Sequence, residues 1–291
     1  MSPGREALTR SLEAAGYVPD VGTVTTAHLA LSLGRPALFE GEPGVGKTEI
    51  ANALATVLGR RLIRLQCYEG LDASQALYEW NHARQLLHLK RAEAEGIEED
   101  SLYDDRFLIE RPLLAAARGG ATCVLLIDEV DRADAAFEAF LLEFLADFAI
   151  SIPELGRVLA PSPPLVVLTS NRTRELHDAL RRRCCYHWID FPSRERELRI
   201  LQARVPGLPE AVAAKIVGAL AELRALPLAK KPGVAETIDW TRAAGVLAAE
   251  GEPWDRALHL SLGLLVKERE DEAIGEPALA GLLGEGKDPL A

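Results

Sequence analysis

Residues 37–58 read ALFEGEPGVGKTEIANALATVL, and this stretch decides the fold. Its first four residues form a short run suited to a buried strand. Gly41-Glu42-Pro43-Gly44-Val45-Gly46-Lys47-Thr48 follows, a complete G-x-x-x-x-G-K-[ST] pattern, with Glu49 next to it. Ile50, Ala53, Leu54, Val57 and Leu58 then recur at helical spacing, and Gly59 supplies a stop. A strand, a glycine loop and an amphipathic helix in that order predict a phosphate cradle. Glycines at 41, 44 and 46 allow successive backbone N–H groups to converge on one phosphate. Lys47 brings a mobile cation to the β- and γ-phosphate oxygens. Thr48 brings a hydroxyl for Mg2+ at a helix N-terminus whose dipole favours anions. The expected ligands are ATP and Mg2+, bound along Gly41–Glu49.

Outward from the loop, Val124-Leu125-Leu126-Ile127 is a second buried-strand run, and it ends in Asp128-Glu129. Asp128 suits the Mg2+ shell, and Glu129 suits the base that orients and deprotonates the attacking water. A third run, Leu165–Ser170, leads into Asn171, placed to reach both the γ-phosphate and that water. Arg181, Arg182 and Arg183 then precede Cys184. Either they complement a helix dipole in solvent, or one is an arginine finger acting on a neighbouring subunit's nucleotide. Arg183 is the preferred finger and Arg182 the alternative.

Further strands are expected at Leu62–Gln66 and Tyr186–Phe191. The pattern predicts an α/β domain over residues 1–191, with a parallel five-stranded sheet flanked by helices. Beyond Phe191-Pro192 the periodicity is helical throughout: Ser193–Arg204, Leu208–Leu226, Thr237–Glu250, Trp254–Glu268 and a weaker segment near Pro277–Leu283. Residues 192–291 therefore read as a smaller all-helical lid domain. Ala92–Asp105 is acidic and loop-like, and Ala149–Pro164 reads as a hairpin with Gly156 at its turn.

The 291 residues carry 44 acidic against 33 basic side chains, a net charge of −11. That balance argues against a nucleic-acid backbone binder. No run is long and apolar enough for a membrane span, and no apolar leader follows the first residues, so a cytoplasmic protein is expected. The four cysteines, at 67, 123, 184 and 185, show neither zinc-ligand spacing nor a disulfide framework. Cys184 and Cys185 would alternate faces of a strand.

The order GEPGVGKT, LLIDEVDRA, LTSN, LRRRC and a helical appendix resembles the AAA+ ATPases. Asp128-Glu129-Val130-Asp131-Arg132-Ala133 resembles the D-E-x-[ND]-R-A stretch of their MoxR group. By that resemblance, Asp239-Trp240-Thr241-Arg242-Ala243 is similar to the sensor-2 segment, making Arg242 a candidate γ-phosphate contact; the alternative is an ordinary exposed helix arginine. Leu65–Asp72 and Leu77–Asn81 resemble a narrower branch, the CoxD-type ATPases of carbon-monoxide dehydrogenase gene clusters, implicated in maturing a molybdenum–copper centre. The resemblance implies a homo-oligomeric, hexameric ring with ATP at each junction. It also implies a metalloenzyme client and a separate partner with a von Willebrand A (VWA) domain. The insertion at Tyr68–Ile109 and the Ala149–Pro164 hairpin are the expected pore-facing elements. Two other functions are weighed: a DNA-directed motor, disfavoured by the charge, and a nucleotide-gated scaffold with little turnover.

Overall fold

The computed structural model describes residues 3–95 and 102–283. Two helices come first, α1 (Arg5–Ala14) and α2 (Val21–Leu33), neither anticipated from the sequence. The Asp20 carboxylate caps α2 by accepting the Thr23 N–H at 2.7 Å, and Gly34 closes it in the left-handed conformation. Strand β1 (Ala37–Gly41) leads into α3 (Lys47–Leu58) and β2 (Arg61–Gln66). An insertion follows: α4 (Ala73–Leu77), β3 (Tyr78–Trp80), α5 (His82–Glu95) and β4 (Leu108–Glu110), with β3 and β4 paired antiparallel. The acidic tract expected to be a loop from Ala92 is instead helical as far as Glu95, because its alanines and glutamates extend α5. Its residues 96–101 lie outside the described residues.

Next come α6 (Pro112–Gly119), β5 (Cys123–Asp128), α7 (Ala135–Asp147) and the hairpin of β6 (Ala149–Ile152) with β7 (Gly156–Leu159). The turn of that hairpin is residues 153–155, and Gly156 opens the return strand at φ +85°. Then β8 (Leu165–Ser170), α8 (Asp178–Arg183) and β9 (Cys185–Ile189) complete a five-stranded sheet of order β2-β5-β8-β1-β9. The β2–β5, β5–β8 and β1–β8 pairs are parallel. Cys184 lies before β9, as the C-cap of α8, so the two cysteines do not share a strand.

The remaining helices are α9 (Arg194–Arg204), α10 (Glu210–Ala225), α11 (Val234–Ala249), α12 (Trp254–Leu260) and α13 (Arg269–Leu283). The single helix expected over Trp254–Glu268 breaks at Ser261, whose hydroxyl bonds back to the Ala257 carbonyl, and a short 3-10 turn follows at Leu262–Leu264. The last helix starts at Arg269 and carries Pro277 in its interior.

Contacts divide the chain into two units. The first holds Asp20–Glu40, Thr48–Trp188 and the N-terminal residues through Ser11; the second holds Leu12–Pro19, Gly41–Lys47 and the chain from Ile189 onward. In the first, Leu38, Leu125, Ile127, Val166 and Leu168 of the sheet are buried against Leu113 and Leu114 of α6 and Phe137, Leu141 and Phe144 of α7. Burial on both faces explains why these strands read as unbroken apolar runs. In the second, Leu201, Ile216, Leu220 and Leu223 surround Trp240, which is fully buried and donates its indole N–H to the Leu258 carbonyl at 2.9 Å. Arg224 forks onto Glu197 at 2.7 and 2.9 Å and lies over the Phe191 ring. Trp240→Ala should cost about 3–5 kcal/mol by emptying that site. An unchanged urea midpoint would contradict this account of the core.

Candidate nucleotide and magnesium site

The loop's shape follows from its glycines. Gly44 sits at φ +76°, and a Cβ there would lie 2.6 Å from Glu236 Oε2 and 3.0 Å from the Gly233 Cα. A Cβ on Gly41 would lie 2.3 Å from the Ile189 carbonyl oxygen. The Gly44 carbonyl accepts the N–H groups of Val234 at 2.9 Å and Ala235 at 3.2 Å, so the first turn of α11 is bonded to the loop. This contact also explains why α11 begins at Val234 and not at Thr237. Lys47 is buried, and its Nζ donates to the carbonyls of Gly41 at 2.8 Å and Glu42 at 2.7 Å. Glu49, in the first turn of α3, accepts from the Asn52 side chain.

At the end of the loop motif, Thr48 Oγ1 donates to Asp128 Oδ1 at 2.9 Å. The same oxygen accepts from Thr169 Oγ1 at 2.5 Å, and that hydroxyl in turn accepts the Glu129 N–H at 2.9 Å. Asp128 Oδ2 accepts twice from Arg64, from Nη2 at 2.6 Å and Nε at 3.1 Å. Glu129 leaves β5 in the left-handed region at φ +54°, a conformation that costs a non-glycine residue energy and is found mainly where function requires it. Its Oε2 accepts from Gln66 Nε2 at 3.1 Å and pairs with Arg132 Nε at 3.2 Å. The structure therefore brings Thr48, Asp128 and Glu129 together in one hydrogen-bonded group.

Because β8 lies between β1 and β5, Asn171 emerges beside the acidic pair. Its N–H bonds to Asp131 Oδ1 at 3.2 Å, and Asp131 Oδ2 accepts both the N–H and the hydroxyl of Thr173, at 2.8 and 2.7 Å. Glu138, fully buried on α7, pairs with Arg174 and accepts the His177 N–H at 2.8 Å. Two buried carboxylates thus fasten the segment between Asn171 and α8.

The arginines are placed differently from one another. Arg181 faces Glu40 at 3.8 Å and lies over the Tyr186 ring. Arg182 is 82% exposed and meets Asp178 at 3.5 Å. Arg183 Nη1 donates to the Leu142 carbonyl at 2.5 Å and lines a pocket with Arg35, Pro36, Leu145 and Phe148. Arg35 donates to the carbonyls of Arg182 and Arg183, at 2.5 and 2.9 Å. Arg242, exposed in the third turn of α11, donates to the Arg204 carbonyl at 3.1 Å and pairs with Asp239 at 3.9 Å.

Sequence reasoning did not single out Arg64, Thr169 or Asp131, and it quoted Gln66 only as part of a family resemblance. Arg64 and Gln66 stand two apart on β2, so they share a face. Two long polar side chains on one face, interleaved with Leu62, Ile63 and Leu65, were the available signal.

A phosphate loop whose threonine is bonded to a strand-terminal Asp-Glu pair defines a P-loop nucleoside triphosphatase. Residues 37–193 match the model of the ATPase family associated with various cellular activities (AAA), and the chain belongs to that family. The chain is 28% identical over 233 residues to the gas vesicle ATPase GvpN of Haloferax mediterranei, covering 76% of this chain and 63% of that protein. It is 29% identical over 205 residues to the protein NorQ of Paracoccus denitrificans, covering 68% of each. To YehL of Escherichia coli it is 26% identical over 278 residues, covering 84% of this chain and 72% of the relative. It therefore spans less than two thirds of the length of GvpN. A solved structure of a Thermotoga maritima RuvB variant superposes with a TM-score of 0.52 at 17% identity, covering 99% of this chain and 85% of that one, a likeness of fold alone.

All four cysteines are free. Burial pushes the Cys67 thiol up to about 12, with Asp128, Asp131 and Glu129 adding to the effect. Burial likewise raises Cys184 to about 12, with neighbouring Cys185 contributing, and it raises Cys123 and Cys185 as well. Thiols this far above neutral pH are poor nucleophiles. Native protein at pH 7.5 should therefore react with Ellman's reagent far more slowly than the unfolded chain. Rapid labelling of Cys67 in the native state would refute the assignment of these thiols to packing.

Proposed function

We propose that this chain hydrolyses ATP with Mg2+ as one subunit of a hexameric ring and uses the turnover to remodel or activate a metalloenzyme client. One observation supports hydrolysis above the others: the hydrogen-bonded group of Thr48, Asp128 and Glu129 at the end of the phosphate loop. A threonine hydroxyl and a carboxylate are the hard oxygen donors Mg2+ takes, so Thr48 and Asp128 would hold it. When bound, Mg2+ neutralises charge on the β- and γ-phosphate oxygens. Lys47, held at the loop by two carbonyls, binds those same oxygens. Backbone N–H groups of Gly41–Thr48 cradle the phosphates, and the N-terminus of α3 adds positive potential. Glu129 takes the proton of the attacking water, and Asn171 orients that water.

In this reading Arg183, with Arg182 in reserve, serves the nucleotide of an adjacent subunit. Arg35 fixes the arginine turn at the amino end of β1, while Glu40 lies at its carboxyl end. Arg242 contributes from α11 in the same proposal.

The resemblance of Leu65–Asp72 and Leu77–Asn81 to CoxD-type ATPases points to a client with a molybdenum–copper centre, that of carbon-monoxide dehydrogenase. The likeness to GvpN favours a second reading, a MoxR-type ATPase serving a different client with a separate VWA-domain partner. Neither reading involves nucleic acid. Among the described residues no helix is long and apolar enough to cross a membrane, and no group of three or more His, Cys, Asp or Glu side chains is arranged to hold a metal ion.

Glu129→Gln should keep ATP binding while slowing phosphate release by about 10²–10⁴-fold, the usual worth of a positioned base. Equal rates in the two proteins would favour the scaffold. Activity per subunit should rise with protein concentration, and Arg183→Ala should cost about 10³-fold or more, as arginine fingers do. A rate independent of concentration in the dilute range would refute the ring mechanism. Adding Mg-ATP to the chain with an immature molybdenum–copper hydroxylase should restore that enzyme's metal-centre spectrum. An unaltered spectrum would move the assignment to the second reading.

A further inference from the structure

Asp128 is 2% exposed, and a buried carboxylate is costly unless its charge is matched. A carboxylate offers about four acceptor positions. Here Oδ1 accepts from the hydroxyls of Thr48 and Thr169, and Oδ2 accepts two N–H groups from Arg64. A Mg2+ ion or its bound water can therefore reach Asp128 only by displacing one of these donors.

The donors are not equally replaceable. Thr48 lies in the first turn of α3, and Thr169 also receives the Glu129 N–H. Arg64 projects from β2, which occupies one edge of the sheet, and its side chain is 54% exposed. It reaches Asp128 diagonally, since Asp128 is registered opposite Gln66 and Leu126 opposite Arg64. It is also the one donor of the four contacts that carries a full positive charge, the property it shares with the metal.

We infer that Arg64 is the internal counter-cation of Asp128, and that Mg2+ displaces it from Oδ2 when nucleotide binds. The inference rests on the reading of Thr48 and Asp128 as the Mg2+ donors. It assigns Arg64 a positioning role: it balances the charge of the carboxylate and orients it before the metal arrives, and it sets how much Mg2+ is needed to take its place. Competition for one oxygen is a negative coupling between Arg64 and Mg2+. Removing Arg64 should therefore tighten Mg2+ binding by the same factor that Arg64 weakens it.

The test is Mg2+ titration of the full chain holding a fluorescent ATP analogue, read as the Mg2+ midpoint of the binding signal, for wild type, Arg64→Met and Arg64→Lys. Arg64→Met should lower the midpoint by about tenfold, within the usual range of site–site coupling. Arg64→Lys, which keeps the charge but loses the fork, should fall between. In parallel, added Mg2+ with the analogue should raise the melting temperature of Arg64→Met more than that of wild type. An unchanged or higher midpoint in either variant overturns the inference; a higher one would mean that Arg64 helps to hold the nucleotide. If Arg64→Met does not fold, the Arg64→Lys midpoint decides alone. Wild-type protein that binds no analogue at any Mg2+ concentration would overturn the nucleotide reading itself.

Discussion

One carboxylate, that of Asp128, carries the constraint on which the rest of the site depends. It sits at the end of a fully buried strand, where an unmatched charge is not tolerated. The neighbouring elements meet this need in turn: α3 through Thr48, β8 through Thr169 and β2 through Arg64. Satisfying Asp128 therefore fixes three elements that lie far apart in sequence, and it fixes them at the carboxyl ends of the strands. Ligands of open α/β sheets bind at that edge. Geometry imposed by a desolvated charge also holds Glu129, whose N–H bonds to the Thr169 hydroxyl that Asp128 accepts.

A second pair of buried acids extends the same logic away from the nucleotide. Asp131 holds the turn that carries Asn171, and Glu138 holds Arg174 and the backbone at His177. The chain between Asn171 and the arginine turn is thus fastened at one end by Asp131, in the turn after β5, and at the other by Glu138 of α7.

Much of this was legible from residue order, and the physical reasons separate what was from what was not. The G-x-x-x-x-G-K-T loop announces itself because only glycine meets the backbone demands at Gly44, and the doubly buried strands because apolar residues run unbroken through them until the polar residues at their carboxyl ends. The C-terminal helices were visible as periodic stretches, but their boundaries were set by tertiary bonds: Gly44 draws the start of α11 back to Val234, and Ser261 cuts α12 short. The first two helices were missed although Asp20 and Gly34 are good cap residues. Arg64 was missed for a different reason. Its importance comes from a diagonal contact between β2 and β5, strands whose pairing no local pattern in RLIRLQ reveals.

The bond between Gly44 and α11 has a mechanical consequence. Two of the first N–H groups of a 16-residue helix are spent on a single carbonyl of the loop. At 1.5 Å per residue that helix is about 24 Å long. Tilting it by a few degrees about the Gly44 carbonyl would sweep its far end, at Ala249, through more than an ångström. The loop is in effect the short arm of a crank, and small adjustments at Gly44 would be magnified along the helix toward Ala249.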